Sequence, residues 1–154
     1  MEIELTVNDI QFKTLVEPDE MLLDTLRRLG FKSVKRGCDT TSCGICSVIV
    51  DGKLVPSCSY YSVRAAGKSV LTVEGIQEEA RRIGAYLTAE GAEQCGFCSP
   101  GLVMAVYAMK NELRNPTLAD IKHYLAGNMC RCSGYEGQHR GILKYLEVCG
   151  NASQ

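Results

Sequence analysis

Gln94-Cys95-Gly96-Phe97-Cys98-Ser99-Pro100 and, further along, Met129-Cys130-Arg131-Cys132 carry two tight cysteine pairs, a C-x-x-C and a C-x-C. The residues between them have helical periodicity. Leu102, Val106, Met109 and Leu113 make one apolar stripe, and Leu118, Ile121 and Leu125 make a second. Asn115-Pro116 breaks the first helix, and Thr117 with Asp120 fits a capping-box start for the next. Two consecutive helices fold the chain back on itself, so four thiolates can meet around one metal centre. Ser99 is the expected N-cap and Pro100 the first helical residue, which turns the positive end of that helix toward Cys95 and Cys98. Gly127 is expected to end the second helix, leaving Cys130 and Cys132 in a loop, where extended backbone lets a C-x-C point both thiols one way.

Upstream lies a second set, Cys38, Cys43, Cys46 and Cys58. Its C-x4-C-x2-C run with a later fourth cysteine is the plant-type spacing for a [2Fe–2S] cluster. Gly37 and Gly44 suit a loop whose backbone must wrap a bulky anionic group and aim N–H groups at its sulfurs. Structural zinc also takes four thiolates, and a disulfide framework is a further alternative. The ninth cysteine, Cys149, has no close partner in sequence and reads as a small buried hydrophobe or an incidental thiol. His123 and His139 read as ordinary surface or packing residues.

Toward the N-terminus the period changes to two. Ile3, Leu5 and Val7 alternate with Glu4 and Thr6, Asn8-Asp9 is a turn signal, and Ile10, Phe12, Thr14 and Val16 continue the alternation. A helix is expected over Met21, Leu22, Leu23, Leu26 and Leu29 with Gly30 as its stop. Ser47–Val50 and Lys53–Val55 flank Asp51-Gly52, a hairpin signal, and Ser69–Val73 is a last strand. The order is α+β: a small mixed sheet with a helix across it. From Gln77 onward the alternation disappears. A short helix around Arg82–Ala89, the two described above and one carrying Ile142, Leu146 and Val148 read as a four-helix bundle. Two domains are expected, residues 1–75 and 76–154.

The 154 residues are 45% apolar and carry a net charge of −1, without a basic block or a basic–aromatic stripe. That excludes nucleic acid and an anionic membrane surface as partners. There is neither an apolar run long enough to span a bilayer nor a leader pattern, so a soluble cytoplasmic protein is expected. With no nucleophile–base set and no glycine-rich phosphate loop, the chain is expected to turn over no substrate by itself.

Taken together, Gly37 to Cys46, Cys58, Gln94 to Gly101 and Gly127 to Tyr135 resemble the iron–sulfur subunit of the molybdenum hydroxylases, the xanthine dehydrogenase, aldehyde oxidase and carbon monoxide dehydrogenase family. The resemblance covers nearly the whole chain. It implies a β-grasp, ferredoxin-like N-terminal domain and a C-terminal four-helix bundle. Cys95, Cys98, Cys130 and Cys132 would hold a [2Fe–2S] cluster nearer the molybdenum, and Cys38, Cys43, Cys46 and Cys58 one nearer a flavin. Gln94 matches the family's glutamine that contacts the pterin, although its side chain alone reads as a surface amide. The molybdopterin cofactor and FAD would sit on partner chains, a large molybdopterin-binding and a medium FAD-binding subunit. Electrons would pass from molybdenum through both clusters to FAD. The resemblance favours a purine such as xanthine or hypoxanthine, or another N-heterocycle, as substrate. Carbon monoxide, an aldehyde or an aromatic acyl-CoA stays open, as does a free-standing ferredoxin-like carrier. Two residues depart from the pattern: Thr41 replaces a frequent glycine, and Ile45 replaces an alanine. A β-branched residue at Thr41 is expected to strain the first loop if that position needs positive φ.

Overall fold

Alternating residues of β1 (Glu2–Val7) bury Ile3, Leu5 and Val7, and a tight turn returns the chain as β2 (Ile10–Leu15). Both turn residues sit at positive φ, Asn8 at 50° and Asp9 at 65°, the arrangement whose twist matches a hairpin. The structure, a computed structural model, describes residues 1–151. Helix α1 (Leu22–Arg28) follows, and Gly30 takes φ 106° just past its end, as the sequence predicts. Asp51-Gly52 joins β3 (Ser47–Val50) to β4 (Lys53–Pro56), and β5 (Ser69–Leu71) completes the sheet. The strand order is β2-β1-β5-β3-β4, with β1 and β5 parallel and the remaining pairs antiparallel.

Leu22, Leu23 and Leu26 of α1 pack with Ile3, Leu5, Val7, Val48, Val50 and Val70 in one core on one face of this sheet. The other face is covered too. Ile49 points away from α1 and packs on Met104 and Ala108, so all four residues of β3 are buried.

The remaining helices are α2 (Gln77–Ala89), α3 (Ser99–Glu112), α4 (Leu118–Tyr124) and α5 (Glu136–Asn151). They share a second core built on Ile83, Leu87, Leu102, Val106, Met109, Ile121, Ile142 and Tyr145. The Thr117–Asp120 capping box is present in full. Among the described residues no helix is long and apolar enough to cross a membrane.

Four expectations need correction. Helix α2 begins at Gln77 rather than near Arg82, because Ile76, Ala80, Ile83 and Leu87 form one stripe that the intervening Glu78, Glu79, Arg81 and Arg82 obscure. Helix α3 starts at Ser99 with Cys98 as its N-cap, and the Ser99 hydroxyl turns to Glu93 instead of capping. Strand β5 ends at Leu71, since residues 73–76 tighten into a single helical turn. Val148 is 47% exposed, and the buried face of α5 runs through Ile142, Tyr145, Leu146 and Cys149.

Candidate metal centres

The first set occupies the loop before β3 and the single helical turn after β4. Two φ values there are positive, Thr41 at 58° and Gly44 at 67°. This curls the loop so that its amides converge on sulfur. The Cys38 thiol is pulled down to about 6 by its hydrogen bond with Cys43 and by the backbone amides of Thr40, Cys43 and Ser42. Burial pushes Cys43 up, against the amide of Ile45, and pushes Cys46 up to about 11. Cys46 and Cys58 form the second hydrogen-bonded pair of this set. The Thr41 hydroxyl lies 3.9 Å from Cys58 Sγ.

The second set joins the turn that enters α3 to the loop between α4 and α5. Cys95 Sγ and Cys132 Sγ are 3.5 Å apart, and Cys98 is hydrogen-bonded to Cys130. The amide of Phe97, followed by the Cys132 contact, lowers the Cys95 thiol. Burial raises Cys98 to about 11. Burial also raises Cys130, but the side chain and amide of Ser133 outweigh it and leave that thiol at about 7, with the Ser133 amide 3.4 Å from the sulfur.

Each set therefore brings its sulfurs together two by two, among backbone donors. A two-iron cluster asks for that donor chemistry, since its four thiolates are shared between two irons. Structural zinc asks for four thiolates around a single point. Among the described residues no three Cys, His, Asp or Glu side chains converge on a single-ion site. Among the described residues no disulfide joins any of the cysteines. The residues present thus fit a pair of [2Fe–2S] clusters.

The sets adjoin. Cys43 and Ile45 from the first, with Cys98, Met129 and Cys130 from the second, line one small cavity of about 10 Å³ together with Gln138. The Met129 amide donates to the Cys43 carbonyl at 2.9 Å. Cys43 and Cys46 are buried, whereas Cys95 and Cys132 are exposed at the far end. At that exposed end Gln94 donates from Nε2 to the Cys132 carbonyl at 3.1 Å. Phe97, Met129 and Tyr135, close in sequence to the cysteines of this set, are exposed apolar side chains.

Cys149, the ninth cysteine, is buried in the helical core, where it is hydrogen-bonded to Tyr145. Two residues near the second set escape a reading of the sequence for ligands. Tyr135 holds φ 72° and accepts the Cys130 amide on its hydroxyl at 3.1 Å. Gln138 is buried with Nε2 4.0 Å from Cys98 Sγ, and the available signal was a polar residue in the first position of an apolar helical stripe.

Two family models match this chain. One describes a 2Fe-2S iron–sulfur cluster binding domain over residues 5–72, the other a [2Fe-2S] binding domain over residues 72–143. The chain is 41% identical to the xanthine dehydrogenase iron-sulfur-binding subunit of Escherichia coli O157:H7, covering 87% of each. It is 34% identical to the nicotinate dehydrogenase small FeS subunit of Eubacterium barkeri, covering 97% of each. Among solved structures it is similar to quinoline 2-oxidoreductase of Pseudomonas putida 86, with a TM-score of 0.89, 31% identity and coverage of 100% of this chain and 98% of that one. The aldehyde oxidoreductase of Desulfovibrio gigas also matches, with a TM-score of 0.88 and 33% identity; it covers all of this chain, which corresponds to 18% of that much longer one.

Proposed function

The chain belongs to the iron–sulfur small subunits of the molybdenum hydroxylases, with two [2Fe-2S]-binding domains, and on that premise we propose that it carries electrons from a molybdopterin-binding subunit to an FAD-binding one. We assign Cys38, Cys43, Cys46 and Cys58 to the cluster nearer the flavin, and Cys95, Cys98, Cys130 and Cys132 to the cluster nearer the molybdenum. Bound there, the clusters supply one-electron transfer between the partner cofactors. The observation that carries the reading is the junction of the two thiol sets, where the Met129 amide meets the Cys43 carbonyl at 2.9 Å.

The chain's own residues have distinct tasks. Loop amides of Thr40, Ser42, Cys43, Ile45, Phe97 and Ser133 stabilise thiolate over thiol, as ligation requires. Ile45 and Leu102, both buried, line the small space between the sets. Gln94, beside exposed Cys95, is assigned to the pterin of the large subunit. Its bond to the Cys132 carbonyl and the exposure of Cys95 and Cys132 beside it support that end as the face that docks there.

The sheet order, with α1 across one face, supports a β-grasp N-terminal domain. The core shared by α2 to α5 supports a four-helix bundle behind it, with the boundary near residue 75. The names of the similar proteins support the substrate class: xanthine, nicotinate and quinoline are all N-heterocycles. We read the substrate of the complex as such a heterocycle, a purine such as xanthine or hypoxanthine first, and its place as the cytoplasm.

The test is EPR spectroscopy of the anaerobically purified, dithionite-reduced chain with iron and zinc analysis on the same sample. Two S = 1/2 signals with about four irons per chain, the content of two [2Fe–2S] clusters, are expected. Cys43→Ser and Cys98→Ser should each remove a different signal. Zinc without a signal would overturn the assignment. Copurification with a flavin- and molybdopterin-containing pair distinguishes the complex from a free-standing carrier.

A further inference from the structure

Helix α5 buries Gln138 to 5% exposure at the head of the stripe that continues through Ile142, Tyr145 and Cys149. Among the described residues it is the only buried side-chain amide. A buried amide costs stability unless its donors are used, and an apolar residue would serve the packing better. Its Nε2 is instead directed at Cys98 Sγ, 4.0 Å away, in the small cavity that Cys43 and Cys130 also line. Cys98 is half-buried on the inner side of its set, away from the exposed Cys95 and Cys132, and the Gln138 amide is set against its sulfur. An N–H donor near a ligand sulfur stabilises the more electron-rich state, and hydrogen bonds to sulfur are a recognised lever on cluster potential.

We propose that Gln138 is a positioning residue that raises the reduction potential of the centre held by Cys95, Cys98, Cys130 and Cys132, by donating from its side-chain amide to Cys98 Sγ. The inference rests on the function proposed above and deepens it. It makes the inner edge of the second centre, at its junction with the first, the place where the relative potentials of the two are set. Loss of the donor shifts the reduction equilibrium of this one centre by up to about tenfold, which for one electron is about 59 mV.

The experiment is an EPR-monitored potentiometric titration of the assembled complex carrying wild-type chain, Gln138→Met or Gln138→Glu, with iron per chain measured on each. Methionine keeps the length and volume and removes the donor; glutamate keeps the shape and places an acceptor against sulfur. The expected result is a lower midpoint for one signal in Gln138→Met, lower again in Gln138→Glu, with the other signal unmoved and iron content unchanged. Unmoved midpoints in both variants overturn the proposal and leave the two-cluster function standing. Loss of one signal together with its iron in Gln138→Met overturns it as well, by showing that the residue serves packing. Absence of two signals in the wild-type complex overturns the underlying function and this inference together.

Discussion

The backbone amide of Met129 donates to the carbonyl of Cys43 at 2.9 Å, which ties the loop of one cysteine set directly to the loop of the other. This approach depends on the absence of side chains beneath it. A Cβ at Gly101, in the first turn of α3, would lie 2.3 Å from the Gly44 carbonyl oxygen and 2.7 Å from Ile45 Cα. Both obstacles are backbone and cannot swing aside. Gly101→Ala is therefore expected to push α3 off the first loop and to cost about 1–3 kcal/mol, the range for overpacking a close contact. Chemical denaturation of the two proteins measures it; equal midpoints would show that the loop adapts without strain.

Thr41, in the loop of the first cysteine set, holds φ 58°. A β-branched residue in the left-handed region is strained by about 1–3 kcal/mol. Thr41→Gly relieves that strain but gives the unfolded chain more freedom. The net expectation is a gain of about 0.5–1 kcal/mol, seen as a higher Tm of the metal-free chain. Thr41→Val keeps the strain and removes only the hydroxyl near Cys58, so its Tm should stay at or below the wild-type value. A Thr41→Gly protein less stable than wild type would mean that the hydroxyl outweighs the backbone.

The expected strain at Thr41 was legible because it follows from one residue type at one loop position, and the hairpins at Asn8-Asp9 and Asp51-Gly52 were legible for the same reason. Local chemistry decides these features. The helix starts were less so. Ser99 has the composition of an N-cap, but Cys98 takes that place, because the turn carrying Cys95 and Cys98 already has near-helical backbone at its end, with Cys98 at φ −80° and ψ −17°. Pairing of sulfurs within each set, and contact between the sets, are tertiary facts that spacing alone cannot supply. Gln138 lay hidden because a glutamine on a helix ordinarily faces solvent, and only packing against α3 shows that it does not.

Two carboxylates give the fold an acid limit. Burial pushes Glu79 up, but Lys110 at 2.7 Å, the Tyr145 hydroxyl and Arg82 outweigh it and leave its pKa below the usual value. Burial likewise raises Glu74, and the Ser33 hydroxyl and amide with the Thr72 hydroxyl reverse it. Both groups are thus harder to protonate folded than unfolded. The stability they contribute is complete above the unfolded carboxylate range, about pH 4.3, and is lost as pH falls through the lower folded values. Denaturation midpoints should be flat with respect to these groups near neutrality and fall below about pH 4.3. Glu79→Gln should flatten part of that acid slope and cost about 1–3 kcal/mol at neutral pH, because it leaves Tyr145 and Lys110 poorly paired. An unchanged acid slope would remove Glu79 from the account.

Tyr135 joins backbone strain to a ligand loop in one residue. Its φ of 72° is unfavourable for an aromatic side chain, and its hydroxyl accepts the Cys130 amide at 3.1 Å while its ring stacks on His139 at 6.2 Å. Held this way, the ring pins Cys130-Arg131-Cys132 to the start of α5. Tyr135→Phe keeps the ring and the strain and removes the acceptor, so it should cost about 0.5–1.5 kcal/mol and loosen the second cysteine set alone. Tyr135→Gly relieves the strain but removes acceptor and ring together, and should lower occupancy of the second set further despite its easier backbone. Iron per chain, read with the relative intensities of the two EPR signals, distinguishes the outcomes. A fall confined to one signal, larger in the glycine variant, is expected. Equal occupancy in all three proteins would show that Ser133 and the thiol pairing hold the loop without Tyr135.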